Sequence, residues 1–158
     1  PPVNAELGRN SRASRVETTL AKQLALYVTV YSPIQMAADL PQNYEKRPDA
    51  FQFIKDVPTD WEETVGVAAK IGDYAVIARK DRGGKDWYLG AITDEEARRI
   101  DVPLGFLEDG KTYVAEIYRD GPKADYAKNP YDIVIEKREM TRTDTLRLPL
   151  GRSGGAAV

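Results

Sequence analysis

Apolar positions fall into two regimes of spacing along the chain. In the first, Val16, Leu20, Leu24, Tyr27, Val28 and Tyr31 recur at intervals of three and four, the stripe that one helix face presents. Ala21, Ala25 and Leu26 widen the stripe, so this helix is covered on more than one side. Ser14-Arg15-Val16-Glu17 fits a capping box, in which the Ser hydroxyl and the Glu side chain satisfy backbone donors at a helix start. The pattern predicts a helix over Ser14–Tyr31 that stops before Pro33. Between Pro33 and Pro41 there is no room for another helix, and Ile34, Met36 and Ala38 alternate with Gln35, Ala37 and Asp39 as in a strand. A second helix is expected from Asp49 as N-cap through Phe51, Phe53, Ile54 and Val57, ended by Pro58. Helix, strand, helix is a unit of α/β architecture. Residues 1–13, with Pro1, Pro2, Asn4, Gly8 and Asn10, read as an irregular lead-in.

From Thr59 the helical period gives way to short β-rich runs. Tyr74–Ala78 and Trp87–Ile92 flank Gly83-Gly84, a hairpin connection. Thr112–Tyr118 alternates, and Tyr131–Lys137, Thr145–Leu150 and Ala156–Val158 are further strand candidates. Turn residues at Glu108-Asp109-Gly110, Arg119-Asp120-Gly121-Pro122 and Gly151–Gly155 separate them. Regular short antiparallel strands predict a β-sandwich with its own core. The fold class expected is therefore mainly β with an α/β N-terminal part, divided near Pro58 into residues 1–58 and 59–158.

Composition narrows the chemistry. The chain has 158 residues, 23 Lys plus Arg against 25 Asp plus Glu, and neither Cys nor His. A net charge of −2 gives no field to attract a phosphate backbone, so nucleic acid is not an expected partner. Without Cys or His there are no disulfides, no zinc sites of the usual ligand set, no thiol nucleophile and no Ser-His-Asp triad. The longest apolar region, Leu24 to Met36, is broken by Thr29, Ser32, Pro33 and Gln35, well short of the roughly 20 residues a membrane span needs. The chain opens Pro1-Pro2-Val3 without Met or signal peptide, which suggests a piece of a longer protein.

Carboxylates are the remaining candidates for acid and base. Glu62-Glu63, Asp94-Glu95-Glu96 and Glu108-Asp109 sit in turn-like contexts, where neighbouring carboxylates are solvated rather than paired for catalysis. Asp120 and Asp125 flank a Gly-Pro loop; they lack calcium-loop spacing and read as turn caps. Asp39 lies at the carboxyl end of the expected Ile34–Ala38 strand, on the Gln35 side, and strand ends of that polarity form active-site faces in α/β barrels and open sheets. A turn Asp before Pro41 is the structural alternative. Trp61, Trp87 and Tyr88 could stack on a sugar ring, or be core.

Arg15 to Tyr27, running into Tyr31-Ser32-Pro33-Ile34-Gln35-Met36-Ala37-Ala38-Asp39-Leu40-Pro41, closely resembles the late barrel region of glycoside hydrolase family 97, the α-glucosidases and α-galactosidases. Asp49–Val57, Gly72-Asp73-Tyr74, Asp86-Trp87-Tyr88-Leu89-Gly90, Ala115-Glu116-Ile117-Tyr118-Arg119-Asp120-Gly121 and Gly154-Gly155 continue the similarity in order. The resemblance implies that residues 1–58 are the last helix, strand and helix of a (β/α)8 barrel and that residues 59–158 are a C-terminal β-sandwich associated with oligomerisation. It implies that the catalytic carboxylates and the calcium-binding glutamates lie outside this chain. No catalytic residue, metal ligand or cofactor is therefore assigned here, and the isolated chain is expected to be inactive. By topology Asp39 and Gln35 would border the substrate pocket of the intact enzyme. The resemblance also suggests a periplasmic location. Two other functions compete: a carbohydrate-binding module using exposed aromatics, and an interaction protein unrelated to sugar. A barrel remnant without its neighbours is expected to expose apolar surface in the first 58 residues and to self-associate or be disordered there.

Overall fold

Helix α1 spans Leu20–Thr29 and buries Ala21, Leu24, Ala25, Tyr27 and Val28, the face that the spacing of three and four predicts. A computed structural model describes residues 16–37 and 39–158. The lead-in over 1–13, the Ser14 start of the capping box and Ala38 lie outside the described residues. Within them the helix is shorter than expected at both ends. It begins after Thr19, whose Oγ1 accepts the Lys22 N–H at 3.2 Å. Tertiary partners take the donors at that end, Thr19 N–H to the Ser153 carbonyl (3.1 Å) and Leu20 N–H to the Pro130 carbonyl (2.8 Å). The helix start is therefore fixed by the sheet it docks on, not by a local box.

The expected strand at Ile34–Asp39 does not form. Ser32 folds the chain back instead: its Oγ donates to the Ile34 carbonyl at 2.6 Å and lies 3.3 Å from the Ile34 N–H. A strand needs a neighbour to pair its backbone, and none of the described elements flanks this segment. Two short helices follow, α2 over Pro41–Glu45 and α3 over Pro48–Asp56, the latter close to the expected Asp49–Val57.

Eight strands complete the chain: β1 Trp61–Lys70, β2 Tyr74–Asp81, β3 Trp87–Thr93, β4 Arg98–Pro103, β5 Thr112–Asp120, β6 Ile133–Thr141, β7 Thr145–Leu150 and β8 Gly155–Ala157. The pattern missed β1, an edge strand open to solvent along much of its length, and β4, where charged neighbours mask the alternation of Ile100 and Val102. A six-stranded sheet runs β1-β2-β3-β8-β5-β6, and β4 pairs with β7 in a two-stranded ribbon, all antiparallel. Val76, Ala78, Leu89, Ala91, Ile117, Met140 and Ala156 face the ribbon's Ile100, Val102, Leu146, Leu148 and Leu150. This is the core of a β-sandwich.

The opposite face of the large sheet packs against the helices. Leu24, Ala25, Val28 and Phe53 meet Trp61, Tyr88, Ile92, Tyr118, Ile133, Ile135 and Ala157. Two glycines bring α1 close to this face. A Cβ on Gly90 would stand 2.6 Å from the Ala25 carbonyl oxygen, and one on Gly155 would stand 2.6 Å from Lys22 Cα. Glycine inside a strand costs stability by itself, and the close approach of the helix backbone is its compensation here. Burying Leu24 fully contributes roughly 1.5–3 kcal/mol.

Candidate functional site

Three places combine buried polar groups or unusual exposure. The first joins α1 to the sheet. Asp120, at the end of β5, is 1% exposed, and its Oδ2 accepts the Gly151 and Gly155 N–H groups at 2.8 and 2.9 Å. The Thr19 hydroxyl lies beside the same carboxyl, and Oδ1 has no hydrogen-bond partner. Burial pushes this carboxyl up to about 6, against the lowering effect of the hydrogen bonds. Lys22 reaches over the junction, its Nζ donating to the Thr93 carbonyl (2.6 Å) and to Ser153 Oγ (3.3 Å), and burial holds its amine below the usual range. A Cβ on Gly154 would collide with Asp120 Oδ2. Asp120 is thus a turn cap, as expected for the Gly-Pro region, but a buried one that ties the last strand's turn to the helix.

At the other end of α1, Arg79 on β2 is 6% exposed. Its Nε donates to the Val28 carbonyl at 2.6 Å and its Nη1 to Thr64 Oγ1 at 2.7 Å. The guanidinium lies over the rings of Tyr31 (5.4 Å) and Trp61 (5.9 Å), and burial lowers its pKa. A cation at the carbonyl end of a helix also complements the helix dipole. The sequence did carry a signal for Arg79: Ile77 and Arg79 continue one alternation, so an arginine falls on a covered face.

The second place holds Asp39 and Gln35. Asp39 Oδ1 accepts the Leu40 N–H and Asn43 Nδ2, both at 2.7 Å, while Oδ2 is covered and unpartnered. Gln35 Nε2 donates to the Val30 carbonyl at 3.3 Å. No hydrogen bond joins the two side chains among those of the described residues. Near Asp39, Tyr27 donates its hydroxyl proton to the Met36 carbonyl (3.2 Å), and burial pushes the Tyr44 phenol up to about 12. The aliphatic and aromatic side chains around this corner face outward: Val30, Tyr31, Ile34 (76% exposed), Met36 (80%) and Leu40. That is the exposed apolar surface expected of the first 58 residues.

The third place is aromatic. Trp61 is buried and meets Tyr88 edge-on at 5.6 Å, while Trp87 tilts against Phe106 at 4.9 Å with 48° between the rings. No exposed coplanar pair is present among these three residues, so a sugar-stacking platform has no support in their geometry. The surface carboxylates pair locally, Glu62 with Lys80, Asp94 with Arg98, and Glu108 with Lys111. Among the described residues no three Asp or Glu side chains converge on a cation position. The calcium implied by the family resemblance therefore has no ligand set among them.

Comparison with known proteins identifies the region. Residues 60–158 match the family described as glycosyl-hydrolase 97 C-terminal, oligomerisation. The chain is 40% identical over 140 residues to a retaining alpha-galactosidase of Bacteroides thetaiotaomicron, covering 89% of this chain and 20% of that protein. It is 34% identical over 138 residues to a probable retaining alpha-galactosidase of Streptomyces bingchenggensis, covering 87% of this chain and 20% of that protein. The chain thus spans about a fifth of the length of these relatives. A solved glycoside hydrolase family 97 enzyme of a Pseudoalteromonas species in complex with panose superposes with a TM-score of 0.91 and 54% identity, covering 99% of this chain and 25% of that one. A β-arabinopyranosidase superposes at 0.74 with 29% identity, covering 92% of this chain and 22% of that one.

Proposed function

The chain belongs to glycoside hydrolase family 97 through its C-terminal region, and on that premise we propose that it is the C-terminal part of a larger α-glycosidase. In this reading residues 59–158 are the sandwich that braces the barrel and carries self-association, and residues 1–58 are the barrel's last helix, strand and helix. The observation that supports it is the two-sidedness of residues 20–40. One side of α1 is locked onto glycines of the sheet, while Val30, Tyr31, Ile34, Met36 and Leu40 point away from it. A barrel completing itself would cover those side chains, and pairing with barrel strands would supply the partners that Ile34–Asp39 lacks. Asp39 and Gln35 would then stand at the rim of the substrate pocket, with α-glucosides or α-galactosides as the substrate class. The acid, base and calcium ligands would come from the preceding part of the enzyme.

Light scattering tests the assembly role. The purified chain and its Ile34→Ser, Met36→Ser double variant are measured together, both substitutions being at exposed positions. A defined oligomer retained by the variant is expected, because the sandwich holds the interface. An oligomer that falls to a monomer in the variant would assign association to the barrel remnant and overturn the reading. Hydrolysis of p-nitrophenyl α-glucoside or α-galactoside by the purified chain would overturn it as well.

A further inference from the structure

The six-stranded sheet is incomplete along part of its length. β8 holds 3 residues, Gly155–Ala157, between β3 with 7 and β5 with 9. Val158 adds one more pairing, its N–H donating to the Leu89 carbonyl and its carbonyl accepting the Leu89 N–H, both at 2.9 Å. Beyond it β3 runs on to Trp87 and β5 to Thr112, and no strand of the described residues lies between them. A cleft of about 320 Å³ opens there, with Val158 at its mouth. Because β3 and β5 both border β8, their separation is two strand spacings, roughly 10 Å, the width that one further strand fills.

The register specifies what fits. Ala157 opposes both Gly90 and Tyr118. The first position after Val158 would therefore stand between Tyr88 and Glu116, and the second between Trp87 and Ala115. Leu89 exchanges both its hydrogen bonds with Val158, so Trp87, two residues earlier on β3, turns its backbone N–H and carbonyl toward the slot. Alternation sets the faces: Ala156 and Val158 pack with the inter-sheet core and Ala157 with the helix side. The first position would face the helix layer, where Asp56 and Glu116 line the cleft. Glu116 there already pairs with Lys137 and accepts the Tyr118 hydroxyl, and Asp56 accepts from Gln52. The second would face Trp87, Phe106, Leu107 and Met140, where the Trp87 indole N–H is buried without a partner.

We propose that this cleft is the seat of a strand prolonging β8, formed by residues that follow Val158 in the same polypeptide, with a basic side chain first and a large apolar one second. The Val158 carbonyl directs the chain straight into the slot. A strand from another molecule would bring its own end against Val158 and lose translational freedom that a tethered one does not.

The test adds Lys-Phe-Thr-Val after Val158, with Phe-Lys-Thr-Val as the control of opposite parity and the acetylated, amidated Lys-Phe-Thr-Val peptide added to the unextended chain. The Lys-Phe extension is expected to raise the melting temperature by roughly 5 °C. It should also shift the Trp87 indole N–H resonance, with the control giving less than half of each effect. Equal effects from both extensions, or none from either, would overturn the proposal. A free peptide that shifts Trp87 at micromolar concentration while the tethered one does not would also overturn it, by assigning the cleft to a separate chain.

Discussion

Asp120 offers the sharpest test of how the helix is joined to the sandwich. Its carboxyl is 1% exposed and titrates at about 6 rather than 3.8 because burial disfavours its anion. A group whose folded pKa is raised binds its proton more tightly in the native state, so protonation stabilises the fold. That contribution is complete below the unfolded value, at roughly 3 kcal/mol, and is lost as pH rises through the folded value. Between pH 8 and pH 5 the chain should gain about 1.4 kcal/mol from this group. Asp120→Asn is the reference that removes the titration. Its amide oxygen can still accept the Gly151 and Gly155 N–H groups, and every other titrating group is unchanged. Urea denaturation at the two pH values, with m compared to confirm equal exposure on unfolding, gives the difference directly. The wild-type chain should gain about 1.4 kcal/mol relative to the variant on going to pH 5. Equal pH dependence in the two proteins would refute the assignment, and so would a wild-type chain that gains stability toward pH 8.

Other substitutions probe the remaining parts of the junction. Gly154→Ala places a Cβ against Asp120 Oδ2 and 2.6 Å from the Gly151 carbonyl oxygen, and should cost about 3 kcal/mol or more in thermal or urea unfolding. Leu24→Ala, at a 1% exposed position, should cost about 2–5 kcal/mol and expose the α1 amides to hydrogen exchange ahead of those in β2 and β3. Arg79→Met keeps the stem but strips the Val28 carbonyl and Thr64 hydroxyl of their donor. It should cost about 1–3 kcal/mol, read as a lowered urea midpoint at constant m.

Periodicity alone determined much of this protein. The face of α1, helix α3 and six of the eight strands follow from spacings of 3.6 and 2, because those spacings decide which side chains can be buried together. The absence of His and Cys likewise left carboxylates as the only acids and bases before any geometry was known. The ordered similarity named the family, which no single motif here could have done. Tertiary structure decided the rest. Ile34–Asp39 has the alternation of a strand and forms none, since backbone hydrogen bonds need a partner that local sequence cannot supply. Thr19 rather than Ser14 begins the helix because Ser153 and Pro130, more than 100 residues away, accept its first donors. β1 and β4 escaped notice because edge strands bury too little for alternation to stand out. Asp120 and Arg79 are ordinary turn and strand residues in the sequence. They became the two locks on α1 only when the last strand inserted between β3 and β5 and brought distant glycines beneath one helix.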